Sequence, residues 1–358
     1  MLLLLLSGLS ARIRDFAERS TRLRFLQVAI YAAAFILILA ALTFPLDYYQ
    51  NFAREHQYGM ATQNFAGWLS DWAKALLVQL IAFPILLIAL YFGFRRAPQR
   101  WWVAGSVVVM IFFVIGAIIG PVYIEPLFNK YTPLQDARIR DPVLQLAHAN
   151  EIPVDKVFVV DASRQTKRVS ANVSGLLGTT RIALNDNLLR ECSLAEIREV
   201  MAHEMGHYVL NHIFKFFAFI ALLTLIAFGV AKILFDWAIG RWGDILRVRG
   251  IADPAGWPLL MLIFSTLAFL GTPVLNTLVR VQEREADAFS LNAAREPDAA
   301  ASIALKLGSY RKMEPTHLEE LIFFDHPSGR SRIRMAMDWK YAMFPELSSK
   351  PAVAAPGR

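Results

Sequence analysis

Cysteine is nearly missing from this chain: among 358 residues only Cys192 is one. No disulfide can close within the sequence, so a fold held by covalent staples is excluded. Cys192 itself is read as a small packing residue. Charge is scarce as well. Charged residues make up 19% and apolar residues 56%, where a soluble globular chain has about a quarter charged. Mean hydropathy is +0.40. Internal repeats are lacking, and so are a nucleic-acid motif and an aromatic-basic platform. No nucleic-acid partner is expected. The net charge of +7 and pI near 9.5 come from arginines that flank apolar runs, where they meet anionic lipid headgroups.

What the sequence does have is long apolar runs. Residues 1–9 are apolar but too short to span a bilayer, which needs about 20 residues. They lack a preceding basic region and a small-residue cleavage site, so they are not read as a cleaved signal. An arginine-rich stretch follows over 12–24. Five segments then reach spanning length: Phe25–Leu46, Trp72–Phe94, Trp101–Tyr123, Ile213–Ile239 and Trp257–Leu278. Pro84 and Pro273 lie inside spans, which neighbouring helices tolerate. Six tryptophans (72, 101, 102, 237, 242 and 257) sit near span ends, as interfacial belts do. Lys215 and Lys232 are placed to snorkel from the fourth span. Few other ionisable residues fall in the spans, which argues against a transporter or channel.

The polar remainder reads as mixed α/β. Residues 139–150 look helical, and 156–161 (KVFVVD) form a short strand. Residues 168–174 and 180–185 read as two more strands around the turn 175–178. Ser193 with Glu196 gives a capping-box start to a helix through His203, and 280–310 is again helical. The division implied is 1–123 for an N-terminal segment and three spans, 124–212 for the first polar part, 213–279 for spans four and five, 280–345 for the second polar part, and 346–358 for a frayed tail. The fold class is mainly α: a polytopic membrane protein of about five transmembrane helices with an α+β domain split in sequence by two of them.

The chemistry concentrates in His203-Glu204-Met205-Gly206-His207. Helix positions i and i+4 share a face, so both imidazoles can hold one metal ion. Glu204 then sits beside the remaining coordination position, where it can take a proton from a water and hand it to a leaving amine. A catalytic zinc site needs a third protein ligand. Glu283 and Glu285 are the carboxylates available downstream, and Asp287 lies one turn after Glu283, where it can orient a ligand. The same run also fits a solvated charged face with Arg280 and Arg284. His212, five residues past His207, lies on another face of a continuous helix and is read as interfacial.

The residues in order resemble the type I CAAX prenyl protease family, integral-membrane zinc peptidases with a zincin-like domain, to which the bacterial protease HtpX is related. The resemblance runs from about residue 44 to about residue 340. It is carried by Glu55, Tyr58-Gly59, Gln63, Trp68 and Asp71; by 126–130 and 132–134; by 159–161 and 170–172; by 181–189; by HEMGH; by Glu283 with Asp287; and by His326-Pro327 with Arg332. It implies a zinc metalloendopeptidase with one Zn2+ per chain, bound by His203, His207 and Glu283. Glu204 would be the general base and Asp287 would support the ligands. Asn172 would lie on an edge strand that holds the substrate backbone. His326 and Arg332 would stabilise the oxyanion. Expected partners are a peptide or protein substrate, lipidated or membrane-associated, and membrane lipids.

The family's Asn-Ala-Tyr reads Asn172-Val173-Ser174 here, so a different substrate groove is expected. Its eukaryotic members carry seven spans and five are read here, which implies a smaller or more open intramembrane chamber. An HtpX-like quality-control protease and an inert scaffold stand as alternatives. Residues 12–24, 95–100 and 241–249 share one side, and the loop 47–71 opposite has only Arg54. The positive-inside rule thus puts the metal domain outside, whereas the resemblance puts it in the cytosol. The membrane implied is a bacterial inner membrane.

Overall fold

The computed structural model describes residues 1–174, 180–308 and 311–345. Among the described residues, five helices are long and apolar enough to cross a membrane: Arg24–Gln57, Phe65–Arg96, Trp101–Leu127, His212–Leu246 and Pro254–Ala294. The protein is a polytopic membrane protein, mostly helical with one small sheet. Every one of these helices outruns its apolar segment. Helix formation does not stop at the hydrocarbon boundary, and the polar flanks continue the turn until a breaker intervenes. The clearest case is the fifth, which stays helical through 279–294. It ends at Arg295, whose φ of 59° is left-handed, with Pro297 opening the next helix.

The helices are α1 Leu2–Leu6, α2 Leu9–Ser20, α3 Arg24–Tyr48, α4 Arg54–Gln57, α5 Phe65–Arg96, α6 Trp101–Ile119, α7 Ala137–Ala149, α8 Asp186–Glu191, α9 Leu194–Val209, α10 His212–Leu246, α11 Trp257–Ala294, α12 Pro297–Leu307, α13 His317–Phe323 and α14 Gly329–Met343. Two compact units emerge. The first comprises Met1–Phe128, Arg164–Thr166 and Lys215–Gly271; the second comprises Asn129–Ser163, Lys167–Phe214 and the chain from Thr272.

The first unit is built on buried aromatic and aliphatic side chains of the spans. Tyr31, Phe35, Leu87, Tyr91, Phe94, Trp101, Phe235 and Leu260 share one apolar cluster. Lys232 does not stand alone: its Nζ pairs with Asp236 at 2.7 Å, one turn on. Asp71 near the start of α5 gathers Gln63, Lys74, Arg164 and Gln165 around its carboxylate, at 2.6–3.2 Å.

The second unit holds a four-stranded sheet in the order β1-β2-β4-β3, from β1 Tyr131–Pro133, β2 Val157–Val160, β3 Ala171–Ser174 and β4 Arg181–Asn185. β2 and β4 are parallel; β1 with β2 and β3 with β4 are antiparallel. β3 is thus an edge strand. The inner strand β4 buries Ile182 and Leu184 in a cluster with Val143, Val157, Ile197, Met201 and Met205, which joins the sheet to α7 and α9.

β1 was not anticipated, because three residues ending in proline carry little strand signal. The strand expected from 168 starts only at Ala171. Residues 168–170 stay outside the strand: the Arg168 carbonyl accepts from Asn185 and Asn187 Nδ2 at 2.7 and 3.1 Å, and the Ser170 carbonyl accepts from Asn185 N at 3.0 Å. The helix expected over 280–310 is two helices, broken at Arg295. The turn 175–178 and the tail 346–358 lie outside the described residues.

Candidate metal centre

Helix α9 is started by its sequence. The Ser193 hydroxyl accepts from Glu196 N, and the Glu196 carboxylate accepts from Ser193 N, a reciprocal cap. Glu196 is further bound by Ser302 at 2.6 Å and Lys306 at 2.7 Å. Burial alone would raise its pKa, but these donors outweigh burial and bring it to about 2. The helix then presents Glu199, His203 and His207 at four-residue spacing, on one face.

That face meets the C-terminal half of α11. Gly206 permits the approach: a Cβ there would lie 3.2 Å from Ala286 Cα and 3.1 Å from the Phe289 ring. The close packing delivers Glu283. His203 Nε2 lies 3.2 Å from Glu283 Oε2, and His207 Nε2 lies 3.4 Å from Glu283 Oε1. The two histidine Nε2 atoms are 3.2 Å apart. One donor atom from each of His203, His207 and Glu283 falls within 4.8 Å of the others. Glu283 Oε2 is buried and takes no hydrogen bond, so it keeps lone pairs for an ion. Two imidazole nitrogens and one carboxylate oxygen are the donor set that zinc takes when one position stays open. The residues present therefore fit the metal.

Around this trio the structure is layered. Asp287 Oδ1 stands 2.9 Å from His203 Nδ1, and Arg332 donates to both Asp287 oxygens at 2.9 and 2.5 Å. Burial works against a protonated His203, but Asp287 and Glu283 outweigh it and raise its pKa to about 10. A metal ion must displace that proton to bind. His326 Nε2 lies 3.4 Å from Glu283 Oε1, and its Nδ1 lies 2.7 Å from Asp325. Glu204 lines the same cleft, of about 270 Å³, and burial pushes its carboxyl above the ordinary range. The structure thus brings together His203, Glu204, His207, Glu283, Asp287, His326 and Arg332. Asn172 lies on β3, paired opposite Ala183. Its neighbours Ser170 and Ala171 line the cleft, and its own Oδ1 is buried without a hydrogen bond. Cys192 is half-buried, with its thiol pKa pushed up by that burial.

Glu285 turns to a different partner. Its carboxylate lies 2.9 Å from Nε2 of His212, whose Nδ1 is 2.9 Å from Nδ1 of His207. His212 was expected to lie on another face, yet it is buried beside His207. The face argument assumed one continuous helix, whereas Asn211, at φ 56°, breaks α9 from α10 and redirects the ring. Glu199 was also missed. It is buried beside His203, accepts from Ser290 Oγ at 2.5 Å, and burial raises its pKa to about 7 despite that bond. Its position four residues before His203 was the available signal.

Residues 133–340 match the model of peptidase family M48. The chain belongs to peptidase family M48. Residues 1–130 match a second M48-associated model, described as the CAAX prenyl protease N-terminal region with five membrane helices. Three of this M48 chain's five long apolar helices fall within that stretch. The likeness therefore begins before residue 44, where the sequence motifs first made it visible. An uncharacterized metalloprotease, YhfN, of Bacillus subtilis is 31% identical over 93% of this chain and 78% of its own length. CAAX prenyl protease 1 of Saccharomyces cerevisiae is 27% identical over 89% of this chain and 74% of its own. The crystal structure of S. mikatae Ste24p superposes with a TM-score of 0.75 at 25% identity, covering 87% of this chain and 75% of that one. This M48 protein is a membrane-embedded zinc metalloendopeptidase resembling the CAAX prenyl proteases. These relatives do not favour the quality-control, transporter or scaffold alternatives.

Proposed function

We propose that the chain cleaves peptides near a lipid-modified C-terminus, with one zinc ion held by His203, His207 and Glu283 and with Glu204 as general base. The observation that carries this reading is the convergence of those three donors beside Glu204 in a cleft bordered by an edge strand. The substrate class rests on the names of relatives such as CAAX prenyl protease 1. The Bacillus relative supports a bacterial cytoplasmic membrane as the location.

When bound, zinc supplies a Lewis acid that polarises the scissile carbonyl and acidifies water. The side chains do the rest. The edge strand β3, which carries Asn172, takes the substrate backbone as an added strand. Burial makes Glu204 a stronger base than an exposed carboxylate. It accepts the proton of the attacking water and returns it to the departing amine. His326 donates to the carbonyl oxygen as charge develops there. Arg332 lines the same cleft and shares that duty, while its Nε and Nη2 donate to Asp287. Those bonds hold Asp287, which fixes the ring of His203.

The test uses a farnesylated peptide and its unmodified twin, with wild type and Glu204→Gln. Wild type is expected to cleave the lipidated peptide preferentially. Glu204→Gln is expected to retain zinc and lose roughly 10²–10⁴-fold in rate. Equal cleavage of both peptides overturns the substrate class; wild-type turnover by Glu204→Gln overturns the mechanism.

A further inference from the structure

The first unit contains a second cavity, of about 520 Å³, within the roughly 300–1,000 Å³ range of ligand sites. Four arginines line it, Arg14, Arg24, Arg95 and Arg249, with two acids, Glu18 and Asp253. Two of the arginines are already neutralised. Arg14 pairs with Asp253 at 2.7 Å and with Asp15 at 2.8 Å; Arg249 pairs with Glu18 at 2.8 Å. Arg24 and Arg95 have no ion pair or side-chain hydrogen bond among the described residues. They face the same space with two positive charges, and the acids that share it are bound to Arg14 and Arg249.

Their setting indicates what meets them. Arg24 opens α3 and Arg95 lies in the last turn of α5, so both mark the ends of membrane-crossing helices. Apolar side chains beside them are exposed: Phe25 and Leu26 follow Arg24, and Phe92, one turn before Arg95, is 63% exposed. An ionic ligand here sits where charge gives way to hydrocarbon. A free anion would use the arginines alone, whereas a lipid would use both features. Arginine suits a phosphate because its planar fork donates two hydrogen bonds to a pair of oxygens. Basic pockets between membrane helices take anionic headgroups for the same reason.

We propose that this cavity binds the phosphate of an anionic phospholipid through Arg24 and Arg95, with the acyl chains leaving over Phe25, Leu26 and Phe92. Glu18, Asp15 and Asp253 hold Arg14 and Arg249 as the rigid wall of the site.

The experiment uses the purified full-length protein in neutral detergent, titrated with short-chain phosphatidylglycerol, short-chain phosphatidylcholine and inorganic phosphate. Binding is read by native mass spectrometry. Phosphatidylglycerol is expected to bind one molecule per chain, more tightly than phosphatidylcholine. Arg24→Gln with Arg95→Gln is expected to weaken it roughly 30-fold, about fivefold per arginine. The lysine pair at these positions keeps the charge but loses the fork, so its affinity is expected to fall between wild type and the glutamine pair. Arg19→Gln with Arg22→Gln, arginines outside the cavity, is expected to change nothing. Wild-type zinc content reports that each variant folds; if the double variant loses zinc, the single variants carry the test at about fivefold each. Unchanged binding by the glutamine variants overturns the proposal. So does an equal loss in the Arg19/Arg22 pair, which would mean diffuse surface attraction. Inorganic phosphate competing at the same concentration as the lipid would also overturn it in favour of a free-anion site.

Discussion

Replacing Gly206 by alanine tests how the metal site is assembled. The new Cβ would stand 3.2 Å from Ala286 Cα and 3.1–3.2 Å from two Phe289 atoms. Non-bonded carbons prefer about 3.5–4.0 Å, and the nearest backbone atom belongs to α11. Full relief at that atom would separate α9 and this half of α11 by roughly 0.3–0.8 Å. Zinc–ligand distances tolerate only about ±0.2 Å. Overpacking of this kind costs about 1–3 kcal/mol, while alanine in place of glycine in a helix recovers about 1 kcal/mol. The two nearly cancel in the apo fold, because the unliganded helices can stay apart. They do not cancel in the zinc-bound state, which pulls Glu283 back toward His203 and His207. Zinc affinity is expected to fall roughly 5- to 150-fold, the equivalent of that packing cost, with the apo melting temperature nearly unchanged. Competition against a chromophoric chelator measures the first quantity and circular dichroism the second. Wild-type zinc affinity in Gly206→Ala would refute the claim that helix approach sets the site.

Asp287→Asn should weaken zinc binding about 10–100-fold, because it loses the charge that orients His203 and holds Arg332; unchanged chelator competition would refute this. Glu196→Gln should cost about 1 kcal/mol at neutral pH as a damaged helix cap. The folded pKa of Glu196 is about 2, below its ordinary 4.5. Its contribution is therefore present above pH 4.5 and lost as pH falls through 2. Chemical denaturation should find the wild-type advantage constant at neutral pH and shrinking across that window; a gap that persists at pH 2 would contradict it. Chelator treatment should abolish peptide cleavage and zinc should restore it, and uptake in unbuffered solution should release protons from His203. Asp71→Ala should loosen the Arg164–Thr166 segment that it anchors, read as faster amide exchange there.

Much of this was legible because membrane spans and a helical metal motif both write themselves periodically. The five spans follow from apolar runs alone, and His203 with His207 from four-residue spacing. Glu283 was not separable from Glu285 by spacing, since both are on the same polar run. Only the approach at Gly206 decides which carboxylate arrives. His212 was misplaced because one left-handed residue, Asn211, ends the helix on which the face was counted. β1 escaped because its three residues form a strand only through pairing with Val160, Val159 and Phe158. That Arg332 also donates to Asp287 is a contact no sequence pattern encodes.

The candidate metal ligands lie on either side of a membrane hairpin in the chain, His203 and His207 before α10 and Glu283 near the end of α11. A ribosome that has finished HEMGH has made only two-thirds of the donor set. The last donor emerges after two further spans, and a chain whose hairpin inserts wrongly cannot bring it home. A misthreaded chain is therefore expected to lack its third donor, and with it a complete metal site.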